Sequence, residues 1–209
     1  MSSSRPDEDG PLLAVLERSK ELGFLGPGPI TSHVLHARAY LGELGDARRV
    51  LDLGSGGGVP GLVLARARPD VGFVLLDAME KRCRFLDWAV EELGLTAVRV
   101  LCGRAEELAR QPDLRAGFER VLARSFAAPA VTAECAAGFL TVGGHLVVSE
   151  PPDRSGVDRW PVAPLDELGM RPSIGRTEGE AHLQVIQQVR ECPDRFPRRV
   201  GVPAKRPLF

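Results

Sequence analysis

The chain has 209 residues, of which 44% are hydrophobic and 26% charged, and a formal net charge of −1. This suits one well-filled domain with an appendage and is short for two full domains. No apolar run approaches the ~18–20 residues of a membrane span, and the polar start Met1-Ser-Ser-Ser-Arg-Pro-Asp-Glu-Asp-Gly10 does not read as a signal peptide, so a cytoplasmic address is expected.

Residues 1–11 read as a disordered lead. Leu12 to Leu16 and Leu22 give a helical pattern closed by Gly23, and Gly26-Pro-Gly-Pro29 must be loop. Thr31 or Ser32 can cap a second helix through about Leu44, with Val34, Leu35 and Leu41 on its apolar face. Residues 1–48 are therefore expected to be a lead and small helical cap. From Arg49 the chain alternates: strand 49–53, helix near 60–67, strand 72–77, helix 80–93, strand 97–102, short helix 104–110, strand 119–124, helix 127–139, strand 144–149. Apolar strands divided by helices predict a parallel sheet covered on both faces. Pro151, Pro152, Pro161 and Pro164 then mark a crossing loop, and strand-like runs near 170–176 and 181–190 predict a hairpin at one sheet edge. The expected fold is α/β and Rossmann-like, with a mostly parallel seven-stranded sheet and a C-terminal antiparallel hairpin. The main domain would span 49–194 and a basic tail 195–209.

The stretch Val50 to Gly61 organises the rest: an apolar strand, then Gly54, Gly56, Gly57 and Gly58, then Pro60 where a helix begins. Such glycines take positive φ and let a ligand approach backbone. Gly56, Gly58 and Gly61 satisfy the dinucleotide pattern, so a nicotinamide or flavin cofactor is one reading. Asp52 argues against it, because its carboxylate is expected beside the turn where a pyrophosphate would rest. S-adenosylmethionine has no phosphate and carries two positive groups, and is the favoured cofactor. Asp77, nineteen residues after Gly58, ends the next apolar run at the spacing of a ribose-binding acid and fits either nucleoside.

The four cysteines (Cys83, Cys102, Cys135, Cys192) are scattered, so neither a zinc site nor a disulfide framework is expected, and Cys102 reads as a small core residue. The tail from Arg195 carries five basic residues and no acid, leaving 22 basic against 28 acidic residues before it. Either a solvated, partly disordered tail or a phosphate-contacting arm would explain this. Such an arm could be removed without cost to cofactor binding.

Beyond these patterns, Asp52-Leu-Gly-Ser-Gly-Gly-Gly-Val-Pro-Gly61, Leu76-Asp77 with Lys81-Arg82 and Phe85-Leu86, and Gly103-Arg104-Ala105-Glu106 resemble the RsmG (GidB) small-subunit rRNA methyltransferases. Arg124 in Ala-Arg-Ser-Phe126, Gly143-Gly144 and Gly179-Glu-Ala-His-Leu183 fit as well. The end, Phe196-Pro-Arg-Arg-Val-Gly-Val-Pro-Ala-Lys-Arg-Pro-Leu208, is similar to that family's tail. The resemblance covers about residues 48–208. It implies methyl transfer from S-adenosylmethionine to N7 of one guanine in 16S rRNA, with 16S rRNA or the small ribosomal subunit as partner and no metal. Matching positions imply cofactor contacts at Gly54, Val59, Ala105, Glu106 and Arg124, with Gly56 and Gly58 in the turn and Asp77 near the ribose.

Three departures lie on the presumed substrate side: a short N-terminal region, His33-Val-Leu-His36-Ala37-Arg38 in place of His-x-x-Asp-Ser-Leu, and Glu150-Pro151 in place of Lys-Gly. Guanine N7 carries a lone pair and no proton, so no catalytic base is expected, which suits a sequence with no obvious acid–base pair. His33, His36, His145 and His182 read as packing or structural residues. Lys81 and Arg82 read as a solvated helix start, Trp88 as core, and Trp160 as part of a mobile loop.

Overall fold

The computed structural model describes residues 10–151, 159–173, 175–179 and 181–209. Alternation of apolar side chains along the strands sets the architecture. In β1 (Arg49–Leu53), Leu51 and Leu53 point to one face and Val50 and Asp52 to the other; in β2 (Gly72–Asp77), Val74 and Leu76 oppose Phe73, Leu75 and Asp77. Both faces are covered. The first packs on α6 (Ala105–Leu108), α7 (Pro129–Ala137) and α8 (Val162–Glu167). The second packs on α1 (Gly10–Glu21), α2 (Ile30–Arg38), α3 (Leu41–Leu44), α4 (Gly61–Ala67) and α5 (Glu80–Glu92).

The remaining strands are β3 (Val98–Cys102), β4 (Phe118–Ala123), β5 (Leu140–Glu150), β6 (Met170–Pro172), β7 (Arg176–Glu178) and β8 (Ala181–Gln188). Their order is β3-β2-β1-β4-β5-β8-β6, with β7 also paired to β8. Strands β1 to β5 are mutually parallel, and β8 runs antiparallel to β5, β6 and β7. The chain reverses direction across the sheet between β1 and β4, which opens a crevice at their carboxyl ends.

The predicted mostly parallel sheet and edge hairpin are therefore present, but the outer arm of the hairpin is broken into β6 and β7, so the sheet has eight strands instead of the expected seven. Several local expectations are corrected. Gly10 and Pro11 already belong to α1, while the rest of the supposed lead lies outside the described residues, as does Pro152. The second helix stops at Arg38 and restarts as α3, with Pro29 rather than Thr31 or Ser32 at its cap position. Leu35 is exposed. Pro164 sits inside the unforeseen α8. Cys102 ends the edge strand β3 and is exposed, and Trp88 is 41% exposed, whereas Trp160 is buried and donates its indole N–H to Glu150. Burial follows which face and which edge an element takes, and for single residues that is settled by neighbours distant in sequence.

Candidate cofactor and substrate site

The glycine turn is built by contacts that demand glycine. Gly54 has φ +75, and a Cβ there would lie 2.5 Å from the Phe126 ring. Gly56 N–H donates to Asp77 Oδ2 at 2.9 Å, and Gly58 N–H donates to the Ser55 carbonyl at 2.7 Å. At Gly61 a Cβ would meet Asp52 Oδ2 at 2.5 Å, and that oxygen instead accepts the Gly61 N–H at 3.0 Å. The carboxylate thus satisfies the first N–H of α4.

Asp52 is consequently not beside the turn but beneath it. It is buried, its Oδ1 has no hydrogen-bond partner among the described residues, and it does not line the crevice. Burial pushes its pKa up to about 7, against smaller opposing effects from the Gly61 N–H, Ser55 and Arg124. The expected discrimination between cofactors by an Asp52 carboxylate beside the turn is thus corrected; two other acids line the crevice. Asp77, at the end of β2, accepts from Gly56 and from Met79 N–H at 2.9 Å, with Arg82 3.7 Å from Oδ2. Glu106, at the start of α6, accepts from Arg104 at 3.0 Å and from the Gly201 N–H at 3.1 Å. Burial raises its pKa, but Gly201, its own N–H and Arg104 together hold it below the ordinary value. Asp77, Glu106, Gly54, Ala105 and Phe126 line one crevice of about 240 Å³.

The Gly201 contact belongs to a folded C-terminal strap. Arg110 and Arg115 donate to the carbonyls of Cys192, Asp194, Arg195, Phe196 and Pro197. Phe196 is buried, and Arg198 closes on fully buried Glu134 with Nη2 at 2.6 Å from Oε2 and Nε at 2.9 Å from Oε1. The last short helix, α9 (Val202–Lys205), packs on α7. The reading of this segment as a solvated, partly disordered tail is therefore corrected. It is tied to the body by arginines whose partners are backbone carbonyls, which no sequence pattern announces.

A family model described as "rRNA small subunit methyltransferase G" matches residues 28–150. A "Ribosomal RNA small subunit methyltransferase G" of Rubrobacter xylanophilus is 37% identical over 210 residues, covering 94% of this chain and 80% of that relative. The protein of the same name from Deinococcus deserti is 40% identical over 178 residues, covering 80% of this chain and 71% of that one. The chain belongs to this family. Its fold is also that of cofactor-bound Rv0187 from MTB (TM-score 0.61, 20% identity, 91% of this chain and 100% of that one). An O-methyltransferase from Bacillus cereus in complex with SAH is similarly placed (TM-score 0.61, 18% identity, 86% and 91%).

Within this methyltransferase chain, the residues singled out by sequence divide into three groups. Gly54, Asp77, Ala105 and Glu106 line the crevice together. Gly56, Gly58 and Val59 are not on its wall: Gly56 donates to Asp77 from the turn behind, and Val59 is buried against the α1, α2 and α5 side chains. Arg124 does not line the crevice. It turns to the other side of the β4 end, against His33, and borders a second cavity. Sequence reasoning missed Arg82, Arg104, Ser125 and Phe126, all on the crevice wall. Ser125 and Phe126 follow Arg124 in the same motif, so proximity to a recognised residue was the available signal. His33 is a hydrogen-bonded partner of Arg124, beyond the packing role expected of it. Glu150, the apparent charge reversal, is buried and accepts from Arg159 at 2.8 Å and Trp160 at 3.1 Å, which neutralises it within the fold.

Proposed function

We propose that this chain, as a member of an rRNA methyltransferase family, transfers a methyl group from S-adenosylmethionine to N7 of a guanine in 16S rRNA, acting in the cytoplasm on the small ribosomal subunit or its RNA. The observation that carries the cofactor reading is the pair Asp77 and Glu106 on one crevice at the switch point of the sheet. Two carboxylates there can accept from ribose hydroxyls; since Arg82 and Arg104 pair with them on the same wall, the choice of S-adenosylmethionine over a pyrophosphate cofactor is supported by the family and not by the charge of the crevice. We assign Asp77 to the ribose and Ala105 and Glu106 to the purine end. Gly54 lies on the crevice wall and Gly56 holds Asp77 there, with Gly58 and Val59 in the turn behind.

The bound cofactor supplies a methyl on a sulfonium; the N7 lone pair forms the new bond while the carbon–sulfur pair stays with sulfur. No proton leaves in this step, so the protein's work is alignment and exclusion of water. Phe126, packed over Gly54, holds the crevice wall in place, and Asp77 is itself held by two backbone N–H groups, so its orientation is fixed before a ligand arrives. Among the described residues no helix is long and apolar enough to cross a membrane.

The test is equilibrium binding of S-adenosylmethionine and NAD to the wild type and Asp77→Ala, together with mapping of methylated guanine in small-subunit rRNA. S-adenosylmethionine should bind in preference to NAD, and Asp77→Ala should weaken it about tenfold, ~1.4 kcal/mol. Unchanged affinity in the variant refutes the ribose assignment. Absence of N7-methylguanine from subunits treated with the wild type refutes the reaction.

A further inference from the structure

A groove of about 560 Å³ runs between the end of α1 and the first turns of α5. Three aromatic rings follow one another along it. Phe24 meets Phe85 edge to face with centroids 5.7 Å apart, and Phe85 meets Trp88 at 5.6 Å. Phe85 is buried, whereas Trp88, one turn further along α5, is half exposed, and Leu22 on the α1 side is exposed as well. Apolar side chains left singly in water need no explanation. Here they share one concavity, and a face of the indole is left for a ligand.

The same groove is lined by Arg18, Lys81 and Arg84 and by no carboxylate. Arg18 reaches Glu21 at 3.0 Å and Arg84 reaches Glu80 at 3.4 Å, both as exposed pairs on their own helices. Such pairs contribute little and give way to a better anion. Lys81 has no ion-pair partner among the described residues. Arg82, its neighbour, joins the groove to the cofactor site: its guanidinium lies 6.0 Å over the Phe24 ring and 3.7 Å from Asp77 Oδ2, and with Met79 it stands on the crevice wall.

Exposed ring faces beside cations are the means by which proteins hold single-stranded nucleic acid, since every base can stack and every phosphate is an anion. A duplex keeps its base faces covered, so the ligand must be unpaired. That is also the state in which a protein reaches one base of an RNA. We propose that the α1–α5 groove binds unpaired nucleotides of 16S rRNA that flank the target guanine, with one base stacked on Trp88 and phosphates on Arg18, Lys81 and Arg84. The proposal rests on the rRNA methyltransferase reading above and adds to it the surface that holds the RNA. Trp88 makes no contact with the cofactor crevice, so the stack acts on RNA binding and leaves the chemical step alone.

The experiment measures binding of a fluorescein-labelled single-stranded oligoribonucleotide of mixed sequence, beside methyl transfer to small subunits that lack the modification. Trp88→Ala should weaken the single strand about tenfold, and Trp88→Phe, which keeps a ring, should stay near wild type. Lys81→Gln should lower the salt slope of binding by about one. S-adenosylmethionine affinity should be unchanged in all three, which also reports that they are folded. On small subunits Trp88→Ala should raise KM with kcat unaltered. Wild-type affinity of Trp88→Ala for the single strand, or a Trp88→Phe protein as weak as the alanine variant, overturns the stacking assignment. A Trp88→Ala enzyme that keeps single-strand affinity but fails on small subunits gives the groove to a ribosomal protein and overturns the RNA assignment. A wild type that binds the single strand through Trp88 yet methylates no guanine overturns the reaction and leaves the groove as an RNA surface.

Discussion

The glycine turn and the C-terminal strap meet at the same crevice and are built in opposite ways. The turn is made largely of its own neighbourhood: Asp52 bonds Gly61 nine positions on, and Ser55 bonds Gly58. The strap is held to the body from afar, by Glu134 on Arg198 across 64 positions and by Glu106 on Gly201 across 95. A local device leaves a motif in the sequence because residue types must recur at fixed spacing. A device made of body carboxylates and arginines closing on distant groups leaves no spacing in the sequence, and the basic excess of the strap's own residues looks the same as a loose arm.

Breaking the strap should have the largest effect. Arg198→Ala takes the guanidinium from the buried Glu134 carboxylate, leaving it only the backbone N–H of position 198, and should cost ~3–5 kcal/mol in urea unfolding. A loss below ~1 kcal/mol would mean that the pair behaves as an ordinary surface contact. Beneath the turn, Asp52 has a folded pKa of about 7, well above its ordinary ~3.9. The folded state therefore binds the proton more tightly, and this group's contribution to stability falls as pH rises from about 4 to 7 and is level above that. The ceiling is on the order of 4 kcal/mol. Asp52→Asn keeps an acceptor for the Gly61 N–H and should remove that decline; identical pH slopes in the two proteins would show that Asp52 does not titrate there.

Gly54→Ala should cost ~1–3 kcal/mol through its positive φ, and should weaken S-adenosylmethionine binding by driving Phe126 off its position. Adding Phe126→Ala should recover the steric part of the stability loss and leave the backbone part. No recovery would place the whole cost in the backbone. The smallest expected effect sharpens the comparison most. Removing residues 200–209 deletes the Gly201 donor and leaves Glu106 with Arg104, so S-adenosylmethionine affinity should fall about tenfold, ~1.4 kcal/mol. An unchanged affinity would return the strap to the role of a detachable arm.

Much of the crevice was legible beforehand because each part obeys a local rule. Gly54 stands where positive φ is required, Asp77 at the last position of an apolar strand, and Glu106 at the first turn of a helix. The misreadings fell where a partner from elsewhere decides. Trp160, in a proline-rich stretch that reads as loop, is buried because Glu150 and the edge of the sheet receive it; Trp88, on an amphipathic helix, is half exposed because α1 covers only part of α5. Arg124 was recognised as functional, but its direction was not, since the bend at Ser125 and the lone pair of His33 set it.

The sequence by itself determined the parallel sheet and the acids at the crevice, because periodicity and glycine placement are properties of neighbouring residues. Only the tertiary structure decided that Asp52 lies under the turn, that the basic end is a strap closed on Glu106, and that Arg124 turns against His33. Those three depend on which carbonyl, N–H or ring arrives from a distant segment to satisfy a buried polar group, and one-dimensional spacing carries no record of that.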